Sequence, residues 1–412
     1  MTGYSEMREA AIWLQTKAAA VVKAEYYPVS DPSARHSTGE FSTTAGNAFT
    51  AHLIADNAEP GQVYKYEIFI NGKKADIPWE LKFQTQELWQ WRKDPPEFSF
   101  AVGSCAYINE TVYDRPGKPY GSEYEIFGTI LSKKPDFMVW LGDNVYLREV
   151  DWYSRTGILK RYTHDRATKE LQPLLGSVHH YAIWDDHDYG PNNSDRSFRN
   201  KHHTLEAFKL FWANPSYGIN GSNSITTMFQ WGDAEFFLLD NRTFRTPENR
   251  EFGDRTILGK EQIEWLIDAL ASSWAPFKFV CMGGQFLNPA ARQEVYSTFP
   301  EEWQYIKDAI RKENIPGVIF LSGDRHHSEV TKLDRPGTYP LYDFTLSSLT
   351  AGISLAKDEP NFNRVPGSLV EEHNFGYFTI SGKRKERVLK LSVIGVDGRE
   401  LYKLELNENE LK

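Results

Sequence analysis

Thiols are scarce in this chain: its 412 residues contain only two cysteines, Cys105 and Cys281. A disulfide framework is thereby excluded. Long apolar runs are missing too, since no window approaches the roughly 18 consecutive apolar residues of a transmembrane segment. Positive charge is in deficit, with 47 Lys and Arg against 56 Asp and Glu and a net charge of −9. A chain built to grip nucleic-acid phosphates needs a basic face, so nucleic acid is not expected as a structural partner. Several chemical motifs are also absent. There is no Gly-x-Ser-x-Gly elbow and no His-Glu-x-x-His, and the stretch from Gly253 to Lys260 has the wrong spacing for a P-loop, with Glu261 where Ser or Thr is required. What is present is the composition of a chain able to bury a sizeable core, 40% hydrophobic and 25% charged. At about 100–200 residues per domain, the length fits two or three domains.

Residues 1–92 read as β structure. Segments 10–15, 21–26 and 64–70 have strand-like alternation or β-branched and aromatic content, and Asn71-Gly72 is a hairpin turn signal. Short strands separated by turns, without helical periodicity, predict a small all-β domain of immunoglobulin or fibronectin type. The boundary is expected near Asp94-Pro95-Pro96. From residue 93 to 412 the texture is α/β. Apolar runs at 98–103 and 137–141 flank a helix predicted over 122–134 and stopped by Pro135. Further helices are predicted at 159–171, 202–212, 260–272 and 301–312. Strands alternating with helices indicate a largely parallel sheet buried on both faces. The late segments 375–381, 388–394 and 400–406 read as an antiparallel meander and are expected to supply part of a second sheet.

The informative polar residues sit where apolar strand-like runs stop. One run ends at Ser104-Cys105, another at Gly142-Asp143-Asn144-Val145-Tyr146, and a third at Asp185-Asp186-His187-Asp188. Two more end at Gly283-Gly284-Gln285 and at Gly323-Asp324-Arg325-His326-His327. Taken singly, each has an ordinary explanation: an Asp after a strand is often a helix N-cap, and a Cys in an apolar run is usually a small buried hydrophobe. Taken together they place carboxylates, imidazole, phenol and thiol at the carboxyl ends of strands, where open α/β sheets bind ligands. All four groups are metal ligands.

These ordered blocks resemble those of the calcineurin-like metallophosphoesterases. With Ser104-Cys105, the helix carrying Gln262 and Trp265, and the segment from Leu239 to Arg245, they are most similar to the PhoD-like alkaline phosphatase D family. The resemblance covers nearly the whole chain. It implies an α/β fold, a four-layer α-β-β-α metallophosphoesterase sandwich over residues 93–412 preceded by the small all-β domain. It also implies hydrolysis of phosphate mono- or diesters by a metal-activated water. Carried over by position, one metal would see Cys105, Asp143, Tyr146 and His326, and the other Asp143, Asp186 and Asp324 with Gln285 or Asn288. Thiolate, phenolate and imidazole suit iron, and an all-oxygen shell suits a hard cation. The expected cofactors are therefore Fe3+ and Ca2+, with a pair of divalent ions (Zn2+, Mn2+ or Mg2+) as the competing occupancy. His187 is expected to act on the leaving group or hold a phosphate oxygen. Arg242 and Arg245, with Arg325, are candidate phosphate clamps.

Two rival functions stand beside this one. A phospholipase D-like or other dedicated phosphodiesterase would use the same blocks, and an adhesion protein would use the β module alone. The opening Met1-Thr2-Gly3-Tyr4 carries no signal-like apolar segment, which read literally means cytoplasm. The resemblance instead implies a periplasmic or extracellular protein whose leader has been removed. Cys281, Trp184, Trp212 and Trp265 lie in apolar windows and are expected in the core. His179-His180 and His202-His203 lack the spacing of a ligand block.

Overall fold

Phe137–Leu141 and Phe277–Met282 are buried along their whole length, as strands inside a sheet covered on both faces must be. They belong to different sheets. The computed structural model describes residues 1–292 and 294–412, and its larger sheet has nine strands. In spatial order these are Glu400–Asn407, Val388–Gly395, Asn374–Ser381, Phe98–Gly103, Phe137–Leu141, His179–Ile183, Thr2–Ser5, Ala10–Gln15 and Thr50–Ala55. A second sheet of six orders Thr227–Trp231, Ala234–Leu238, Phe277–Met282, Val318–Ser322, Leu341–Thr345 and Glu329–Leu333. The middle strands of both sheets run parallel.

The two sheets meet face to face through aromatic rings. Phe100 and Phe137 each stand edge-on to Phe236 with centroids 5.2 Å apart, and Phe279 meets Phe100 at 5.4 Å. Helices cover the outer faces: Phe127 of Glu125–Ser132 packs on Trp140, Phe208 of Lys201–Phe211 on Trp184, and Trp265 of Lys260–Ser272 on Phe237. Parallel strands in each sheet bring their carboxyl ends to one edge of the sandwich. The site loops leave from there.

Three features differ from the sequence reading. The closing meander does not join the second sheet; Asn374–Ser381 pairs antiparallel with Phe98–Gly103 and so widens the first. Residues 1–92 are all-β with a core of their own around Ile12, Tyr26, Leu53, Tyr64 and Phe83, but they do not stand apart. Thr2–Ser5 pairs with His179–Ile183, and Ala10–Gln15 and Thr50–Ala55 continue the larger sheet outward. Strand patterning reports which face is buried and not which strand lies alongside, so this continuity left no trace in the sequence. Finally, the helix predicted at 159–171 runs from Arg155 to Arg166, because Ser154 caps it by accepting the Gly157 N–H at 3.0 Å. Leu171 belongs to the next turn, before the short helix Gln172–Ser177.

His179 fastens this junction. Its Nδ1–H donates to the Gly3 carbonyl at 2.6 Å, and its Nε2 accepts the Gln84 N–H at 3.0 Å. One donor and one acceptor make the ring neutral, and burial lowers its pKa from 6.5 to about 4. The unfolded chain therefore takes up a proton before the folded chain does. The stability His179 confers is complete above pH 6.5 and is lost as pH falls toward 4. In urea unfolding, the stability difference between wild type and His179→Gln should shrink by about 2–3 kcal/mol from pH 7 to pH 4.5. A difference that stays constant over that range would mean the ring is already charged in the fold.

Candidate metal centre

Backbone geometry marks the site before any side chain is considered. Cys105, Asp143, Asp324 and His326 all have left-handed φ values, 59°, 52°, 64° and 56°. Such angles are uncommon outside glycine and gather where side chains must be aimed against local preference. Two glycines let the loops close on one another. A Cβ on Gly142 (φ 93°) would lie 2.6 Å from the Cβ of Asp185, and one on Gly323 would lie 2.7 Å from Ser104 and 2.9 Å from the Leu141 carbonyl. The Gly-Asp pairs in the sequence are thus steric requirements as well as ligand positions.

The donor atoms converge in three overlapping groups: Cys105, Asp143 and His326; Asp143, Asp186 and His187; and Asp185, Asp186 and Asp324. Within each, the ligand atoms all lie within 4.8 Å of one another. Asp143 links the first two groups, and Asp186 links the last two. Cys105 Sγ lies 3.8 Å from Asp143 Oδ2 and accepts the Ser347 hydroxyl at 3.1 Å. Nδ1–H of His326 donates to the Gly352 carbonyl at 2.6 Å. That fixes the tautomer and leaves the Nε2 lone pair facing the Tyr146 hydroxyl, 3.1 Å away. The His187 ring stacks obliquely on Tyr146 at 4.4 Å, and the His187 backbone N–H donates to Asp143 Oδ1 at 3.2 Å. A cavity of about 290 Å³ opens on Asp143, Asp186, His187, Asp324, Arg325 and His326.

Charge of one sign is packed here with little to offset it. Burial, reinforced by Asp186 and Cys105, pushes Asp143 well above the usual carboxylate range. Burial and then Asp185 and Glu294 push Asp324 up to about 8. Burial raises Asp185 to about 7 although Arg242 opposes it, and burial raises the Cys105 thiol to about 12. Asp186 goes the other way: His187, Arg242 and the Asn193 N–H outweigh burial and hold it at about 2. Oδ1 of Asp186 and Oδ2 of Asp185 are buried with no hydrogen-bond partner among the described residues. Such atoms in a low-dielectric setting call for protons or cations. The donor set fits two cations, a mixed S, N and O group beside an all-oxygen one.

Several expected residues lie elsewhere. Gln285 does not line the cavity, and its carboxamide is fully engaged. Oε1 accepts from Arg325 and Asn288 at 3.1 and 2.8 Å, while Nε2 donates to Glu329 and Thr345 at 2.7 and 2.9 Å. Asn288 is likewise tied to Gln285 and Glu359. The all-oxygen group that does form unites Asp185 with Asp186 and Asp324. Arg242 is no open phosphate clamp: it is fully buried, bonded to Asp185 and bidentate to Glu294 at 2.8 and 2.6 Å. Arg245 is buried against Glu248 and Glu294. Of the three arginines only Arg325 reaches the cavity. Cys281, Trp184 and Trp212 are core residues as expected, and Trp265 packs against the core from its helix.

Two contributors escaped the sequence reading. Glu294 follows no strand and belongs to no recognisable block, yet it faces the cavity and anchors Arg242. Asp188 was visible but had no assigned role. Its carboxylate accepts the N–H groups of Asn144, Val145 and Asp185 at 3.2, 3.2 and 3.0 Å, clamping one ligand loop to the other. Asp188→Ala would strand three buried donors, each worth about 1–3 kcal/mol. Thermal unfolding should fall by several degrees and metal content by elemental analysis should drop. Unchanged values for both would remove Asp188 from this role.

Comparison with known proteins agrees with the geometry. The PhoD-like phosphatase family matches residues 100–389. Alkaline phosphatase D of Bacillus subtilis (strain 168) is 23% identical over 335 residues, which is 69% of this chain and 54% of that protein. The chain thus spans about half the length of this curated relative. A solved structure of PhoD superposes with a TM-score of 0.77 at 18% identity, covering 99% of this chain and 90% of that one. The purple acid phosphatase PPD1 from yellow lupin (Lupinus luteus) seeds does so with a TM-score of 0.69 at 12% identity, covering 98% and 73%. These two likenesses concern the fold. The family match covers most of the chain and includes every candidate ligand, and on that basis the chain belongs to the PhoD-like phosphatase family.

Proposed function

We propose that this protein is a metal-dependent phosphoesterase acting on phosphate mono- or diesters. The observation that carries this reading is the convergence of Asp143, Asp186, His187, Asp324 and His326 on one cavity, with Cys105 grouped behind them against Asp143 and His326 and an excess of buried carboxylate around them. In this reading Cys105, Asp143, Tyr146 and His326 hold Fe3+. Asp143, Asp186 and Asp324, joined by Asp185, would hold Ca2+. Bound cations would supply Lewis-acid polarisation of the phosphoryl oxygens and a water nucleophile of lowered pKa.

The protein's own groups do the remaining work. Asp143 serves both cation positions, and the His187 backbone N–H holds its carboxylate in place. His187 lines the cavity, where it can pass a proton to the departing alkoxide oxygen or hold a phosphate oxygen; burial lowers its pKa, so the donating imidazolium form is favoured only as pH falls. Arg325 lines the cavity with its terminal nitrogens held by Gln285 and Glu359 and its buried Nε without a partner, and is the candidate to hold a phosphate oxygen there. Ser104 and Ser347 hydroxyls hold the Cys105 sulfur in position. Residues 1–92 act as a β buttress on the larger sheet. The family relationship also favours export to the periplasm or cell exterior.

Asp143→Asn should lower kcat/KM on p-nitrophenyl phosphate and bis(p-nitrophenyl) phosphate by at least about a hundredfold; undiminished turnover would overturn the reading. His187→Asn should hardly affect p-nitrophenyl esters, whose leaving group needs no proton. It should slow alkyl phosphates by about 10²-fold or more. Equal losses on both substrate classes would take the proton-donor role away from His187. For the metals, the purified holoprotein should contain iron and show a visible tyrosinate band that Tyr146→Phe abolishes.

A further inference from the structure

A second cavity shares no lining residue with the one at the metal centre. It encloses about 800 Å³ between the N-terminal β layers and the helices Arg155–Arg166 and Gln172–Ser177. Its walls are mostly apolar, with Ile68, Ile77, Trp79, Leu81 and Leu175 along the length. Every charged side chain lining it is cationic: Lys17, Arg155, Lys160 and Arg166. In a chain of net charge −9, a cavity without one acidic group in its lining is a departure that needs a cause.

Arg166 supplies the sharper observation. It is 5% exposed, and its only hydrogen bond among the described residues runs from one terminal nitrogen to the Phe211 carbonyl at 3.2 Å. Its Nε has no partner. The other deeply buried arginines each have a carboxylate: Arg161 with Asp151, Arg242 with Asp185 and Glu294, and Arg387 with Asp233. Arg166 has only the faces of Trp212 and Trp13, at 4.1 and 6.0 Å. Asp165, next in sequence, forms neither an ion pair nor a hydrogen bond with it among the described residues, and burial pushes that carboxyl up to about 8. Arg155 is matched by Glu206, whereas Lys17 and Lys160 are exposed at the rim and make no ion pair among the described residues. A buried guanidinium without a counter-ion is costly, and an anion brought in by a ligand would relieve that cost.

We propose that this cavity binds a fatty carboxylate, with the alkyl chain along Ile68, Leu81 and Leu175 and the carboxylate paired with Arg166. Apolar walls ending in one uncompensated cation match an amphiphile with a single anionic head.

The test uses the full chain and laurate, with decyl- and dodecyltrimethylammonium and dodecyl maltoside as charge controls below their micellar concentrations. Trp13 and Trp79 line the cavity, so intrinsic fluorescence reports occupancy and calorimetry gives the stoichiometry. Laurate should bind saturably at one site and raise the melting temperature, with the cationic and neutral amphiphiles at least tenfold weaker. Arg166→Gln should weaken laurate at least tenfold. Because that variant removes a buried charge and could fold poorly, Lys160→Glu and Ala45→Trp, both at exposed positions, provide a second route. The first should weaken laurate several-fold by reversing the charge at the rim, and the second by obstructing the mouth. Equal binding of laurate and of the cationic and neutral controls would reduce the site to an unspecific apolar groove and overturn the proposal. Absence of saturable laurate binding, or no loss in Lys160→Glu and Ala45→Trp, would do the same. None of these outcomes depends on phosphoesterase activity, so this proposal and the catalytic one fail separately.

Discussion

The constraint on which this structure turns is a concentration of negative charge taken out of water. Asp143, Asp185, Asp186 and Glu294 lie buried and Asp324 half-buried at or just behind one small cavity, and Arg242 is bonded inside the cluster to Asp185 and Glu294. Isolated carboxylates do not survive such surroundings ionised. Left to the protein alone, the imbalance is met by protons, which is what the raised values of Asp143, Asp185 and Asp324 express. Cations would meet the same imbalance more fully, displacing those protons and restoring the ligand form of each group. The arrangement is therefore unfavourable as a folded core and favourable as a receptor for positive charge.

Holding that arrangement together falls to backbone geometry and to groups that touch no substrate. Parallel strands in two facing sheets deliver the loops to one edge, but the loops must then approach more closely than side chains normally permit. Gly142 and Gly323 remove the obstruction, and four left-handed residues turn the ligands inward. Asp188 ties two loops through their N–H groups, and Glu294 fixes Arg242, which in turn fixes Asp185. Each link is a charged or hydrogen-bonded contact in a dry environment, where an unmet partner is expensive. Precision at the ligands thus rests on a layer of contacts behind them.

Much of this was readable in the sequence, for an identifiable reason. Strand-ending Gly-Asp, Asp-Asp-His-Asp and Gly-Asp-Arg-His are local patterns, and a local pattern fixes which residues leave a strand end together. The strands 98–103 and 137–141 and the helix 260–272 were legible because periodicity and apolar runs are also local. What depended on distant partners was not. Arg242 looked like a free phosphate clamp because Glu294, 52 residues on, leaves no mark near it. Gln285 looked like a ligand because its position in the block was right, while the Arg325, Glu329 and Thr345 side chains that occupy it come from other strands and loops. The merging of the N-terminal strands into the larger sheet was hidden for the same reason: pairing between Thr2 and His179 is a tertiary fact.

Net charge described the surface and misled about the interior, in both directions. The value of −9 says nothing of a lone buried guanidinium at Arg166, nor of how unevenly the acids are distributed. The molecule carries two opposite imbalances, an excess of carboxylate at the strand ends and an unmatched cation beneath the β layers. Other deeply buried arginines are paired with carboxylates, as at Arg161 with Asp151 and Arg387 with Asp233. Against that background a buried charge left without its partner is informative, because the fold had the means to satisfy it and did not. The metal cluster gains its reading from this contrast, since cations complete what the protein leaves open. The same reasoning applied with the sign reversed leads from Arg166 to an anion.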